Sequence, residues 1–343
     1  MAGARRRNCD QILNYMMYTS DSDDSSSSDS DDDNDLLFFE TCFATTRELG
    51  TRINLQDISE DDCEKMFRFE KYDIPRLRDA LKMPDRLAYP NRLSDLTPIF
   101  ARTEYELSLI FNTILDDIYE RFNYLLTSID LVWLDPDLFS RVIHAKGAPL
   151  DQCWGFIDGT PRPIARPIRN QKIMYSGHKR IHCLKFQSVQ APNGLIENMF
   201  GPIEGSRHDA FMLGISGLQE KLRQLTKPDG EPYVIYGDPA YGLSYNILAP
   251  YRGNNLSDAQ KVFNRDMSRV RVNVEWGFGK ISQIFAYLDF KTNLKVLLQP
   301  IGIYYLIGAL LTNCHTCLYG SLTSSFFNLE PPVLETYLSN YIN

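Results

Sequence analysis

Most of the short signatures that mark an enzyme class are missing from this sequence. It has no P-loop, no GxGxxG after a strand, no HExxH and no GxSxG. Phosphate-cradling NTPases, dinucleotide enzymes, zincins and α/β-type serine hydrolases therefore find no support. No internal repeat is visible. The N-terminus, MAGARRRNCD, leads into no apolar run of the kind a secretory signal carries. The seven cysteines are odd in number and scattered through a long chain, which fits a reducing compartment, cytosol or nucleus, better than a disulfide scaffold. Cys314 and Cys317 form a lone CxxC with no second ligand pair, so buried thiols are expected there rather than zinc. The apolar run Pro300 to Leu311 is too short and too interrupted by glycine for a membrane span, and no membrane association is expected.

The net charge of −8 at first argues against a polyanionic partner. Residues 20–35, SDSDDSSSSDSDDDND, hold eight aspartates and no cation, and so account for all of it. The acidic balance describes a tail, and the remaining body is close to neutral. Within that body, acids are nearly absent from Gly159 to Met199, where Glu197 is the exception. The same stretch carries Arg162, Arg166, Arg169, Lys172, Lys179, Arg180 and Lys185. It reads either as a phosphate-binding segment or as a solvated basic loop.

Four regions follow from the changes in texture. Residues 1–35 form a polar acidic tail, expected to be disordered. Residues 36–148 read as helices. Ser59 is a good N-cap followed by acidic residues, Ile74 to Leu81 continues in helical register, and a long helix is expected from Thr103 to about Leu125. A short helix Leu93 to Phe100, a turn at Ala101-Arg102 and that long helix suggest an incomplete helix-turn-helix, though ordinary helical packing gives the same pattern. Residues 149–320 begin with strands: Trp154 to Ile157, Ile181 to Ala191, a turn at Pro192-Asn193-Gly194, then Leu195 to Pro202 and Tyr233 to Tyr236. Helices are expected at Asp209 to Leu222 and Asn264 to Tyr287. The fold class is α/β, a mixed sheet flanked by helices and preceded by an all-α N-terminal region. Residues 321–343 read as a loose C-terminal tail.

Two motifs repeat a feature. Ile157-Asp158-Gly159 and Tyr236-Gly237-Asp238 each place an aspartate at the expected end of a buried strand. A charge there is too costly to leave unpaired, so each must cap a helix, meet a cation or hold a metal. Glu275, beside the apolar stripe of a helix, is the third candidate. Three oxygen donors of this kind suit a hard cation such as Mg²⁺ or Mn²⁺. With a phosphodiester, two such ions activate the attacking oxygen and stabilise the leaving one. The bland alternative is three unrelated acids. Asp209, after Arg207-His208, is either an N-cap or a further ligand. Arg271 lies four residues before Glu275, at the spacing of a helical ion pair.

Several stretches, in order from about 150 to 320, resemble PIF/Harbinger transposases. They are Trp154-Gly-Phe-Ile-Asp-Gly-Thr, Tyr175-Ser-Gly-His-Lys-Arg, Lys185-Phe-Gln-Ser-Val-Gln-Ala-Pro-Asn-Gly, Gly201-Pro-Ile-Glu-Gly-Ser-Arg-His-Asp, Tyr236-Gly-Asp-Pro-Ala-Tyr-Gly and Val274-Glu-Trp-Gly-Phe-Gly. The resemblance implies a nuclease of the DDE superfamily with an RNase H-like sheet. Asp158, Asp238 and Glu275 would be the catalytic acids, and Asp209 a fourth metal ligand, with Mg²⁺ or Mn²⁺ as cofactor and DNA as substrate. It also implies a nuclear location, which need not exclude the cytoplasm, a separate Myb-like DNA-binding partner, and self-association. The stretch between Met83-Pro-Asp and Arg86-Leu-Ala-Tyr-Pro is shorter than the family's. That shortening leaves open a second reading: a domesticated DNA-binding or adaptor protein that keeps the acids and no longer cuts.

Overall fold

The computed structural model describes residues 55–81, 97, 102–129, 131–289, 291, 294–296 and 298–339. The acidic tail lies outside them, as does the expected helix Leu93 to Phe100 apart from Thr97. The chain divides into two compact units, residues 1–54 with 91–108, and 55–90 with 109–343. Little of the first is described; at the start of a long helix there, Glu106 accepts from the Thr103 backbone at 3.0 Å and pairs with Arg102.

In the second unit the N-terminal helices are α1 (Glu60–Phe67) and α2 (Asp73–Ala80). Ser59 caps α1 as its sequence predicts, its hydroxyl accepting from the Asp62 backbone at 3.1 Å. Next come α3 (Glu104–Phe122, begun in the first unit), α4 (Tyr124–Thr127) and α5 (Pro136–Ala145). Asp135 caps α5 and proline occupies its first turn, which suits a position with no donor to satisfy.

The sheet contains β1 (Cys153–Pro163), β2 (Tyr175–Ser176), β3 (Ile181–Gln190), β4 (Ile196–Glu204), β5 (Val234–Tyr236) and β6 (Ile247–Leu248). A short helix α6 (Gln171–Met174) precedes β2. Strands β4, β3 and β1 pair antiparallel, β5 and β6 then add in parallel, and β2 pairs with one end of β3. The β3–β4 turn forms where expected: Gly194 takes φ +84°, open to glycine at no steric cost, and Asn193 accepts from the Leu195 backbone. Trp154, Ile157, Val189 and Ile235, all buried, belong to the core beneath the sheet.

Several boundaries differ from the sequence reading. Strand β1 runs six residues past Ile157, so Asp158 lies where its burial changes from complete to partial, inside the strand. The helix expected over 209–222 is two, α7 (Asp209–Ile215) and α8 (Leu218–Leu222), separated at Gly217 with φ +65°. The helix expected over 264–287 starts earlier, at a Ser257/Gln260 capping box, and divides at Val272 into α9 (Asp258–Arg271) and α10 (Asn273–Ile284).

The apolar run near residue 300 becomes α11 (Ile301–Tyr319). Its glycines do not interrupt it. They let neighbours approach instead: a Cβ at Gly302 would lie 2.5 Å from Pro202, and one at Gly308 2.5 Å from Leu288. By length and composition α11 could cross a membrane, but 67% of its apolar window is buried in the fold, as in a core helix. Beyond it, residues expected as a loose tail form α12 (Leu322–Phe327) and α13 (Leu334–Leu338), and Tyr337 and Leu334 are fully buried.

Candidate functional site: an acidic cluster beside two parallel strands

The register of β1 against β5 pairs Phe156 with Tyr236. Asp158 and Asp238 each stand two residues further on. Side chains in a strand repeat every two residues, and neighbouring strands lie about 4.8 Å apart. The two carboxylates therefore leave adjacent strands at one level of the sheet.

Asp209 enters from the first turn of α7. It is the first helical residue, and His208 holds the N-cap position without a capping bond, so the N-cap role for Asp209 is not the one adopted. Gly159 makes the approach possible: a Cβ there would lie 3.1 Å from Asp209 Oδ1.

Crowded acids need compensation, and two cations supply it. Arg271 Nη2 donates to Asp158 Oδ1 at 2.9 Å, both side chains being about four-fifths buried. This replaces the helical pairing of Arg271 with Glu275 that the spacing allowed. Lys185 Nζ lies 3.5 Å from Asp209 Oδ1 and donates to the Arg207 carbonyl at 2.6 Å. Burial, partly offset by Arg271 and aggravated by Asp238 and Asp209, pushes the Asp158 carboxyl up to about 6. Asp238 also serves the backbone, accepting from the Ala240 N–H at 2.8 Å as the cap of a single 3₁₀ turn, Pro239–Tyr241.

Glu275 is not drawn in. It is exposed in the first turn of α10, and among the described residues no group of three or more His, Cys, Asp or Glu side chains is placed to hold one metal ion. Nearby, α10 presses closely on the sheet at Gly277, where a Cβ would lie 2.0 Å from Gln190 Oε1.

The basic residues separate into three kinds. Arg162 is spent on structure: it donates to Ser282 Oγ at 2.7 Å and to the Phe278 carbonyl at 3.1 Å, and its guanidinium sits 4.8 Å from the Tyr305 ring centre. Lys185 belongs to the acidic cluster. Arg166, Arg169, Lys172, Lys179 and Arg180 are exposed on the connection between β1 and β3, with Ile168 94% exposed beside them. Cys314 and Cys317 sit on α11, and burial pushes both thiols up.

One residue of the cluster was not singled out from the sequence. The Tyr241 hydroxyl is buried beside Gly159, and the charges of Asp209, Asp158 and Asp238 all bear on it. The available signal was a glycine next to each strand aspartate, in Asp158-Gly159 and Gly237-Asp238.

Residues 157–313 match a family model described as a DDE superfamily endonuclease. The segment contains Asp158, Asp209, Asp238 and Glu275. Over 121 residues the chain is 31% identical to the probable transposase for insertion sequence element IS702 of Microchaete diplosiphon. That alignment covers 35% of this chain and 42% of the relative, so the chain spans less than half the relative's length. No solved structure matches the chain. Residues 157–313 are thus similar to a DDE superfamily endonuclease domain, and the mixed six-stranded sheet flanked by helices is consistent with such a nuclease.

Proposed function

We propose that this protein is a divalent-metal-dependent DNA nuclease of transposase descent, of the PIF/Harbinger kind, with an RNase H-like sheet. The observation that carries the reading is the arrival of Asp158 and Asp238 at one level of adjacent parallel strands, with Asp209 beside them, inside the segment similar to DDE endonucleases. A sheet of three antiparallel strands extended by two parallel ones supports the RNase H-like assignment.

The donor chemistry fits a hard cation. The cluster offers carboxylate oxygens, and it is crowded enough that burial and like charge raise Asp158. Asp158, Asp209 and Asp238 are the acids we assign to the ion, which would draw them closer than they stand, since no three of the described acids converge on one point; Glu275, the third candidate in the sequence, stands outside this cluster. When bound, Mg²⁺ or Mn²⁺ would supply activation of the attacking oxygen and charge stabilisation of the leaving one in the two-metal manner. The chain's own part is positional. The Ala240 N–H fixes the Asp238 carboxylate, and Arg271 and Lys185 balance the charge of Asp158 and Asp209. The exposed cations Arg166, Arg169, Lys172, Lys179 and Arg180 would take the DNA backbone. Action in the nucleus, with a Myb-like DNA-binding partner and as a homo-oligomer, belongs to the same proposal.

A second reading has one observation in its favour. Glu275 stands exposed, which suits a DNA-binding or adaptor protein that keeps its acids and no longer cuts. Nicking of supercoiled plasmid by the purified chain with Mg²⁺ or Mn²⁺, lost on chelation and in Asp158→Asn and Asp238→Ala, is the expected result. Plasmid binding without metal-dependent nicking would establish the second reading instead.

A further inference from the structure

Tyr241 closes the 3₁₀ turn that Asp238 caps, and its ring is held by the glycines of both aspartate motifs. A Cβ on Gly237 would lie 3.0 Å from Tyr241 Cδ2, and one on Gly159 would lie 3.2 Å from Tyr241 Oη and 3.1 Å from Asp209 Oδ1. Side chains at either position would displace the ring or the carboxylate. The absence of a side chain on both sides therefore brings a phenol into the acidic cluster. The residue is 6% exposed and its hydroxyl has no hydrogen-bond partner.

A buried hydroxyl without a partner is costly. Phenylalanine would fill the same space without that penalty, so packing alone does not account for the hydroxyl. The three carboxylates around it are acceptors, and a neutral O–H adds a donor without adding charge. Lys185 and Arg271 already engage Asp209 and Asp158 from elsewhere. The phenol is an uncommitted donor of the cluster, as is the Nε–H of Arg271, but the phenol alone is neutral.

From this geometry we infer that Tyr241 is a positioning residue of the acidic site, its O–H donating to the carboxylate oxygen that an ion leaves free. The inference rests on the metal-site reading above. It assigns Tyr241 a role in holding the ligands, acting through Asp209 or Asp158 and not on the substrate. Groups that orient metal ligands in this way typically change affinity about 10–100-fold when removed.

The test is Mn²⁺ titration of the full chain by calorimetry, wild type against Tyr241→Phe, with thermal melts of both in chelator. The expected result is a melting temperature in chelator no lower than wild type's and Mn²⁺ affinity at least tenfold weaker in Tyr241→Phe. Equal affinity in the two overturns the inference while leaving the metal site in place. Failure of wild type to bind Mn²⁺ more tightly than Asp238→Ala overturns the metal site itself, and the inference with it. Should Tyr241→Phe not fold, Gly159→Ala provides the second arm. Its methyl separates Tyr241 Oη from Asp209, and Mn²⁺ affinity as strong as wild type's in that variant overturns the inference.

Discussion

Replacing Glu197 with glutamine should stabilise the protein at neutral pH and leave it unchanged in acid. Glu197 lies at the irregularity of the β3–β4 ladder, between the registers Val189↔Asn198 and Gln190↔Ile196, and none of its surface is exposed. Its two oxygens make no hydrogen bond of good geometry. Burial holds its carboxyl well above the usual carboxylate range, and Asn193 beside it offsets only part of that. The folded chain therefore keeps this proton where the unfolded chain releases it, near 4.5. Stability from this group is intact below that pH and falls as pH rises, by about 1.4 kcal/mol for each unit. By pH 7 the loss can be at most about 3 kcal/mol, and glutamine, nearly the same shape and never ionised, removes it. Urea denaturation of Glu197→Gln and wild type at pH 4.5 and 7 measures it. The difference should be near zero at the lower pH and should favour glutamine at the higher, by up to about 3 kcal/mol. Other titrating groups, Asp158 and His315 among them, are common to both proteins and cancel in the difference. A gap between variant and wild type that stays the same at both pH values would refute the reasoning, because it would mean the carboxyl is ionised or solvated in the fold.

Three further predictions concern the basic residues. Arg271→Ala leaves Asp158 buried without its cation, and should cost about 2 kcal/mol at pH 7.5. Because the folded Asp158 pKa is raised, to about 6, its ionisation weakens the fold as pH rises. The Arg271→Ala cost should therefore shrink by pH 4, as urea titrations at the two pH values would show. Arg162→Ala should destabilise by about 2 kcal/mol through lost hydrogen bonds and ring contact. Arg166→Ala with Arg169→Ala should leave stability within about 0.5 kcal/mol, weaken duplex-DNA binding, and lower the salt slope of that binding in fluorescence anisotropy. The reverse pattern, with Arg162 the DNA contact, would assign the interface to the wrong side of β1.

Much of the site was visible in short windows of sequence. Asp158 and Asp238 stood out because an acid beside a fully apolar run must be compensated. Ser59 as a cap and Pro192-Asn193-Gly194 as a turn rest on backbone geometry a few residues long, and both form as read. The gathering of Asp209 with the strand acids did not follow from any window. It required α7 to start where Gly159 leaves room. Tyr241 was passed over because a tyrosine after Asp-Pro-Ala looks like any turn aromatic until the glycines around it are placed.

What the sequence determined by itself was local: where most strands and turns fall, which acids are too costly to bury alone, and that the negative charge is concentrated in residues 20–35. The tertiary structure alone decided which partners those acids found. Arg271 meets Asp158 across 113 positions of chain instead of Glu275 one helical turn away. Arg162, outwardly one of a series of cations, is consumed by α10 and α11. Pairings of that kind depend on strand register and helix packing, which bring together residues far apart in the chain, and a charge takes the counter-charge that the fold places nearest in low dielectric.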